Sequence, residues 1–374
     1  MITIMDTVYT RQEQEPASSE VTEVAPGVLR MQLPISLPGL GHVNCYALVD
    51  DDGVALVDPG LPGETSWTAL GDRLKQAGIP LRRVHTAVVT HSHPDHFGGS
   101  HQLRDEVGAA VLAHSDFSFN SAAEAANADL DLELLDLEPE ALIELWKAKL
   151  AEQGDTPWGT TRQPPSDAMI EKFIQTNQVG LPQRFRVPQP SIRVNDGESV
   201  RLAGRDWFAV HTPGHTHDHL CLWDPAEGVL LSGDHVLPTI TPHIAGSNDL
   251  SDPLAAFFES LQRVGGFDGV KVCLPAHGHP FSDLRTRTDA IREHHCERLD
   301  KLRAAADALG DAPVEAYMQE LFAQRSWGYM AASETFAHLE HLHKIGTLDS
   351  SRNSDGLLHY RPKPSQQLES SPAA

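Results

Sequence analysis

Residues 91–96 read His-Ser-His-Pro-Asp-His, and few hexapeptides restrict a fold more. Four cation-binding groups in six positions must either converge on one place or be left in water. The preceding stretch, Val84–Thr90 (VHTAVVT), is apolar and β-branched and reads as a buried strand. The hexapeptide therefore lies at a strand's carboxyl end, where α/β folds gather their sites. In extended backbone, positions two apart point the same way, so His91 and His93 can grip one ion. Asp95 and His96 lie past the Pro94 turn and can face a second ion nearby. Imidazole mixed with carboxylate suits Zn²⁺, Fe²⁺ or Mn²⁺, with Zn²⁺ the default.

Three further segments each put a ligand type at the end of an expected strand. FAVHTPGHT (208–216) offers His215 after a Pro-Gly turn, VLLSGD (229–234) offers Asp234, and KVCLPAHG (271–278) offers His277. The chain holds 21 histidines, so the others need sorting. His211, His217, His219, His235, His243 and His279 flank the ligand positions, where a lone histidine is more often structural than ligating. His235, beside Asp234, and His243, in the loop that follows, are the candidates for substrate contact. Cys221 sits mid-strand in HLCLW and reads as core.

HSHPDH, TPGHT, SGD and PAHG in this order, with the VDPG stretch ending at Gly60, resemble the metallo-β-lactamase superfamily over residues 21–285. The resemblance implies an α/β fold of four layers, an αββα sandwich of two facing sheets with helices outside. It implies that His91, His93 and His215 hold one metal, that Asp95, His96 and His277 hold another, and that Asp234 bridges them. Asp95 and Asp234 would be the catalytic carboxylates, and Asp58 a buried acid supporting the ligands from behind. Two divalent ions, Zn²⁺ foremost with Fe or Mn as alternatives, would lower the pKa of a shared water from 15.7 towards about 7. The bridging hydroxide would then attack an electrophilic centre. No GxSxG elbow is present, which agrees with direct attack by water.

The organisation also resembles the branch around glyoxalase II, which implies a small-molecule thioester, ester or lactone as substrate. That enzyme's basic glutathione-binding residues have no match here, so hydroxyacylglutathione is not the expected substrate. Two alternatives stand beside this reading. One is a mononuclear iron oxidoreductase like the persulfide dioxygenases, the other a phosphodiesterase or nuclease. The complete second set, Asp95, His96 and His277, favours two metals.

Along the chain, residues 1–20 are polar and expected to be flexible, and residues 21–285 form the metallo-β-lactamase-like domain. Within it, residues about 120–185 form an acidic helical insertion. Glu64–Gly78 reads as a helix, and Ser251 is placed to cap another, with Asp252 and Pro253 in its first turn. Residues 286–361 read as three helices and a two-stranded wing, a winged-helix-like module whose third helix opens at Ser333. That helix carries Glu334, Glu340 and one lysine, which suits packing or homodimerisation better than a DNA groove. Residues 362–374 are a polar tail, expected to be disordered.

Charge narrows the partners. With 52 acidic and 29 basic residues, the net charge is -23, which repels phosphate backbones and anionic membranes. Nucleic acid and membrane are therefore not expected as partners, and a small-molecule substrate is. Cys45, Cys221, Cys273 and Cys296 form no CxxC and read as buried free thiols. The N-terminus lacks a basic start followed by an apolar run, and a cytoplasmic location is expected.

Overall fold

The computed structural model describes residues 11–37, 39–119, 144, 148, 154–162, 167, 187–246 and 249–363. The first sheet has seven strands in sequential order: β1 (Val21–Ala25), β2 (Val28–Leu37), β3 (Leu40–Val49), β4 (Val54–Val57), β5 (Val84–Val88), β6 (Ala110–His114) and β7 (Ile192–Val194). β1 to β4 pair antiparallel, and β4 to β7 pair parallel. The second sheet follows the order β12 (Val272–Pro275), β11 (Val229–Gly233), β10 (Leu220–Asp224), β9 (Arg205–His211), β8 (Ser199–Leu202).

Period-two alternation builds the layers. On β4, Ala55 and Val57 point inward to Trp207, Leu220, Leu222 and Leu231 of the second sheet. Val54 and Leu56 point outward, onto Leu70 and Leu74 of α1 (Glu64–Gln76) and Leu103 of α3 (Ser100–Val107). The outer face of the second sheet, through Val210, Cys221, Leu230 and Cys273, packs on α4 (Pro253–Gly265) by way of Leu254, Phe257 and Leu261. Each such buried valine, leucine or phenylalanine stabilises the fold by roughly 1.5–3 kcal/mol. Helices thus flank two facing sheets, the four layers that the motifs implied.

Two element starts differ from the sequence expectation. The cap of α4 is Asp252, whose carboxylate accepts from Ala255 N at 3.0 Å; Ser251 lies one residue outside. The last long helix opens at Tyr329, not Ser333. Ser333 is fully buried one turn inside it, against Gly246.

Beyond the sandwich come α5 (Leu284–Leu309), α6 (Val314–Leu321) and α7 (Tyr329–Lys344). A small sheet accompanies them, ordered β13 (Ala312–Pro313), β15 (Leu358–Pro362), β14 (Leu348–Arg352). The two-residue β13 adds a strand to the expected wing, and Pro362 belongs to β15 rather than to the tail. Ile291, Leu302, Phe336 and Leu339 share one buried cluster with Phe257 of α4, so this unit is packed onto the sandwich. Trp158 joins that cluster, and its indole donates to Glu315 at 2.9 Å. Most of the expected insertion, and the tail beyond residue 363, lie outside the described residues.

Residues 11–20 depart from the expected flexible segment. Gln12–Gln14 form a 3-10 turn, and Glu13 is only 2% exposed. Three of the thiols, Cys45, Cys221 and Cys273, are buried as expected, whereas Cys296 is half-buried. Among the described residues, no helix is long and apolar enough to cross a membrane.

Candidate metal centre

Strand direction brings the donors together. β4 and β5 are parallel, and β9, β11 and β12 run the same way in the facing sheet. Their carboxyl ends carry Asp58, His91–His96, His215, Asp234 and His277 to one edge of the sandwich. His93 keeps an extended backbone (φ −88°, ψ 144°) and precedes Pro94, the first residue of the short α2 (Pro94–Phe97). The proline's fixed φ starts a helical turn there, which swings Asp95 and His96 away from His91 and His93. Gly98 and Gly99 follow because the turn is pressed against residues 59–62. A Cβ on Gly98 would lie 2.1 Å from Pro62 N, and one on Gly99 2.3 Å from Pro59 O.

Two donor sets result, each with its ligand atoms within 4.8 Å of one another. The first is His91, His93, His215 and Asp234; the second is Asp95, His96 and His277. In the first, His93 Nδ1 lies 3.0 Å from His91 Nε2 and 3.1 Å from His215 Nε2. In the second, Asp95 Oδ2 lies 3.6 Å from His96 Nε2 and 3.5 Å from His277 Nε2. Asp234 faces both sets. Its Oδ2 is 3.5 Å from His215 Nε2 and 3.6 Å from His96 Nε2, and its Oδ1 is 3.4 Å from His277 Nε2. Donors about 2.05 Å from a tetrahedral ion stand roughly 3.3 Å apart, so these separations suit a shared cation.

Hydrogen bonds behind the rings fix their tautomers. His215 Nδ1 donates to His243 O at 2.7 Å, and His277 Nδ1 donates to His42 O at 2.7 Å. His96 Nδ1 donates to Asp58 Oδ2 at 2.9 Å. The Thr90 hydroxyl donates to the same Asp58 oxygen at 2.9 Å and so accepts from His91 Nδ1 at 3.1 Å. In all four rings these bonds hold a proton on Nδ1 and turn Nε2 toward the centre, where it can take a proton or give its lone pair to a cation. Asp58 adopts a left-handed backbone (φ 55°), and its other oxygen accepts from Thr90 N at 2.9 Å. One buried carboxylate thus orients two rings. Asp58→Ala is expected to lower metal affinity and turnover by about 10–100-fold. Titration of the purified variant with Zn²⁺ checks this, and wild-type affinity would count against the role.

A cation fits these residues. His96 Nε2, His277 Nε2 and Asp234 Oδ1 are buried and have no hydrogen-bond partner. A buried polar atom left unpaired costs about 1–3 kcal/mol, more if charged. Burial and the neighbouring imidazoles hold His91 well below its ordinary pKa and His93 down to about 3, so both stay neutral donors. Burial opposes charge on His96, but Asp95, Asp58 and Asp234 outweigh it and raise that pKa. Burial likewise opposes ionisation of Asp234, and the imidazoles of His277, His96 and His215 outweigh it. The centre keeps its carboxylates ionised and answers them with positive charge.

The flanking histidines divide. His235 does not line the site: it is fully buried, packed edge-on against Phe257 at 5.2 Å. A substrate cannot reach it there. His243 serves through its backbone carbonyl on His215, and its ring donates to Met330 O of α7 at 3.1 Å. His219, grouped in the sequence with the structural histidines, stays outside both donor sets and braces them. Its Nε2 accepts from Asp234 N at 3.0 Å, and its ring stacks on His91 at 5.1 Å. The only sequence signal was its four-residue spacing from His215. Asp218 is a second such case, bound by Ser92 Oγ at 3.0 Å, which ties the two ligand loops together.

Comparison with known proteins agrees with this geometry. The metallo-beta-lactamase superfamily model matches residues 38–304, a span that includes every donor named above. The probable metallo-hydrolase YqjP of Bacillus subtilis is 25% identical over 327 residues, covering 84% of this chain and 91% of that protein. The atrochrysone carboxyl ACP thioesterase nsrC of Aspergillus novofumigatus is 32% identical over 127 residues, 34% of this chain and 35% of that one. Among solved structures, a metallo-beta-lactamase family protein from Thermus thermophilus superposes with a TM-score of 0.69 at 29% identity, covering 91% of this chain and 100% of that one. A beta-lactamase domain protein from Burkholderia ambifaria gives 0.72 at 27% identity, covering 93% and 95%.

Proposed function

This chain belongs to the metallo-β-lactamase superfamily and is a metal-dependent hydrolase; from that premise we propose that it holds two divalent ions, Zn²⁺ foremost, and cleaves a small-molecule thioester, ester or lactone. The observation that carries this is Asp234, whose two oxygens face two separate donor sets at 3.4–3.6 Å. A single-ion site needs only the first set. The complete second set therefore counts against the mononuclear iron oxygenase reading. The thioesterase name of one partial relative supports an activated acyl bond, over about a third of each chain.

Bound divalent ions would supply Lewis acidity, polarising an acyl oxygen and acidifying water. The protein's own residues do the rest. His91, His93 and His215 would hold one ion and Asp95, His96 and His277 the other, with Asp234 between them. Thr90, Asp58, His243 and His42 keep the ring protons on Nδ1, so no ligand must reorganise during turnover. The overall negative charge supports a small-molecule substrate over a polyanion.

Chelation is expected to abolish hydrolysis and Zn²⁺ to restore it. The test is a hydrolysis screen of the reloaded protein across thioesters, lactones, phosphodiesters and β-lactams, with His93→Ala alongside. Turnover that persists in protein shown metal-free by elemental analysis would refute the reading. A single iron with O₂ uptake would favour the oxygenase instead.

A further inference from the structure

The N-terminal strap, residues 11–18, lies before the start of the family match at residue 38. It nevertheless touches the loop that carries His277. His42 lies between them and is fully buried. Its Nδ1 donates to Glu15 O at 2.8 Å, its Nε2 accepts from Gly278 N at 3.3 Å, and its own carbonyl orients His277 at 2.7 Å. Every polar atom of the His42 ring is thus spent between the strap and the ligand loop. Gln12 Oε1 accepts from His279 N at 3.1 Å, and Glu15 Oε2 pairs with His279 Nε2 at 2.9 Å. A second route starts at Ser18, whose N–H donates to Gln32 Oε1 at 2.8 Å. Gln32 reaches Asn44 at 3.3 Å, and Asn44 Nδ2 donates to Gly278 O at 2.8 Å.

The packing is as tight as the bonding. Gly278, in a left-handed conformation (φ +83°), is wedged between Pro238 and Gln12; a Cβ there would lie 2.8 Å from Pro238 Cγ and 3.3 Å from Gln12 Oε1. A Cβ on Gly41 would lie 2.4 Å from Glu15 O. From the other side, Thr239 Oγ1 donates to buried Glu13 at 2.8 Å. Among the described residues, no hydrogen bond joins the strap to His91, His93 or His215. Those rings are backed by Thr90 and His243, or face one another.

We propose that the strap is a positioning element for one half of the metal centre: it fixes His277, and with it the second ion, while the first set stands without it. This rests on the two-ion reading above. A protein with the strap displaced would be a one-ion species with its first site intact, so docking of the strap would govern loading of the second site.

The test uses the full chain with two variants that push the strap away from opposite sides, Gly41→Leu and Glu13→Arg, and a mild one, Gln12→Ala. Elemental analysis after dialysis, Zn²⁺ titration and amide exchange over residues 11–20 are the readouts. Both disruptive variants are expected to exchange faster there and to hold about one ion where wild type holds about two. Gln12→Ala is expected to bind the second ion roughly tenfold more weakly and the first as wild type does. A wild-type chain that takes up only one ion overturns the two-ion reading on its own. With two ions in wild type, any of three results overturns the strap's role alone: a released strap with both ions retained at wild-type affinity, unchanged exchange in the disruptive variants, or unchanged second-ion affinity in Gln12→Ala.

Discussion

Asp234→Ala is expected to lower turnover by roughly 10³-fold and to cost the protein bound metal. Partners behind a ligand are worth about 10–100-fold, and a side chain that faces both donor sets should exceed them. Charge explains the size of the effect. The two donor sets together contain two carboxylates, Asp95 and Asp234, among five imidazoles. Removing one halves the negative charge that the donor sets would offer to bound cations in a buried site. Asp234→Asn separates charge from shape, because the amide keeps the volume and one oxygen. Measurement of kcat/KM on the best substrate from the screen, with metal content of the same preparation, decides the matter. An Asp234→Ala protein with near-normal turnover and two bound ions would sink the bridging assignment.

Acidification of the metal-free protein should destabilise it strongly between about pH 6.5 and pH 4. Several histidines away from the donor sets are held neutral by burial: His114 and His294 are lowered to about 4, His338 to about 3 and His295 to about 2. Neighbouring basic side chains reinforce this, His211 beside His114 and Arg298 beside His294. The unfolded chain takes up these protons near the ordinary value of 6.5, while the folded chain refuses them until the pH is much lower. Stability therefore falls as the pH drops through this window, by about 1.4 kcal/mol per unit of pKa difference for the deeply buried His295 and His338, and by less for His114 and His294, which solvent screens in part. Glu334 acts in the opposite sense. Burial raises it to about 7 against the pull of Arg298, so its contribution is lost as pH rises. One carboxyl set against four imidazoles leaves the acid limb dominant. Denaturant midpoints at pH 7 and pH 5 measure the effect. The double variant His295→Leu/His338→Leu, which removes a facing pair 3.0 Å apart, should release about two fewer protons on folding than wild type. An identical pH slope in that variant would show that the pair does not titrate as its burial demands.

How far the sequence could be read depended on how local each signal was. His91, His93, Asp95 and His96 are marked by the strand before them and the proline among them, so their convergence could be expected. His215, Asp234 and His277 each follow a strand, and strand ends collect at one edge in an α/β fold. His235 misled because adjacency to Asp234 says nothing about side-chain direction: neighbours at a strand end point to opposite faces, and its ring went into the core. The start of α7 at Tyr329 was missed because Ser333 looks like a cap from its neighbours alone. Its burial against Gly246 exists only once the helix is docked.

By itself the sequence determined the strands, the turns and the candidate donors that follow them, because alternation, turn residues and strand ends are encoded within a few residues of one another; the four layers and the division of the donors into two sets were implied by the resemblance of the motifs to a family. Only the tertiary structure decided which nitrogen of each imidazole faces the centre, that His219 and Asp218 brace the ligand loops, and that residues 11–18 pack against the loop that carries His277. Those choices are made by backbone carbonyls and by contacts spanning up to 267 positions. A carbonyl has no identity in the sequence, so what it touches can be read only from the folded chain.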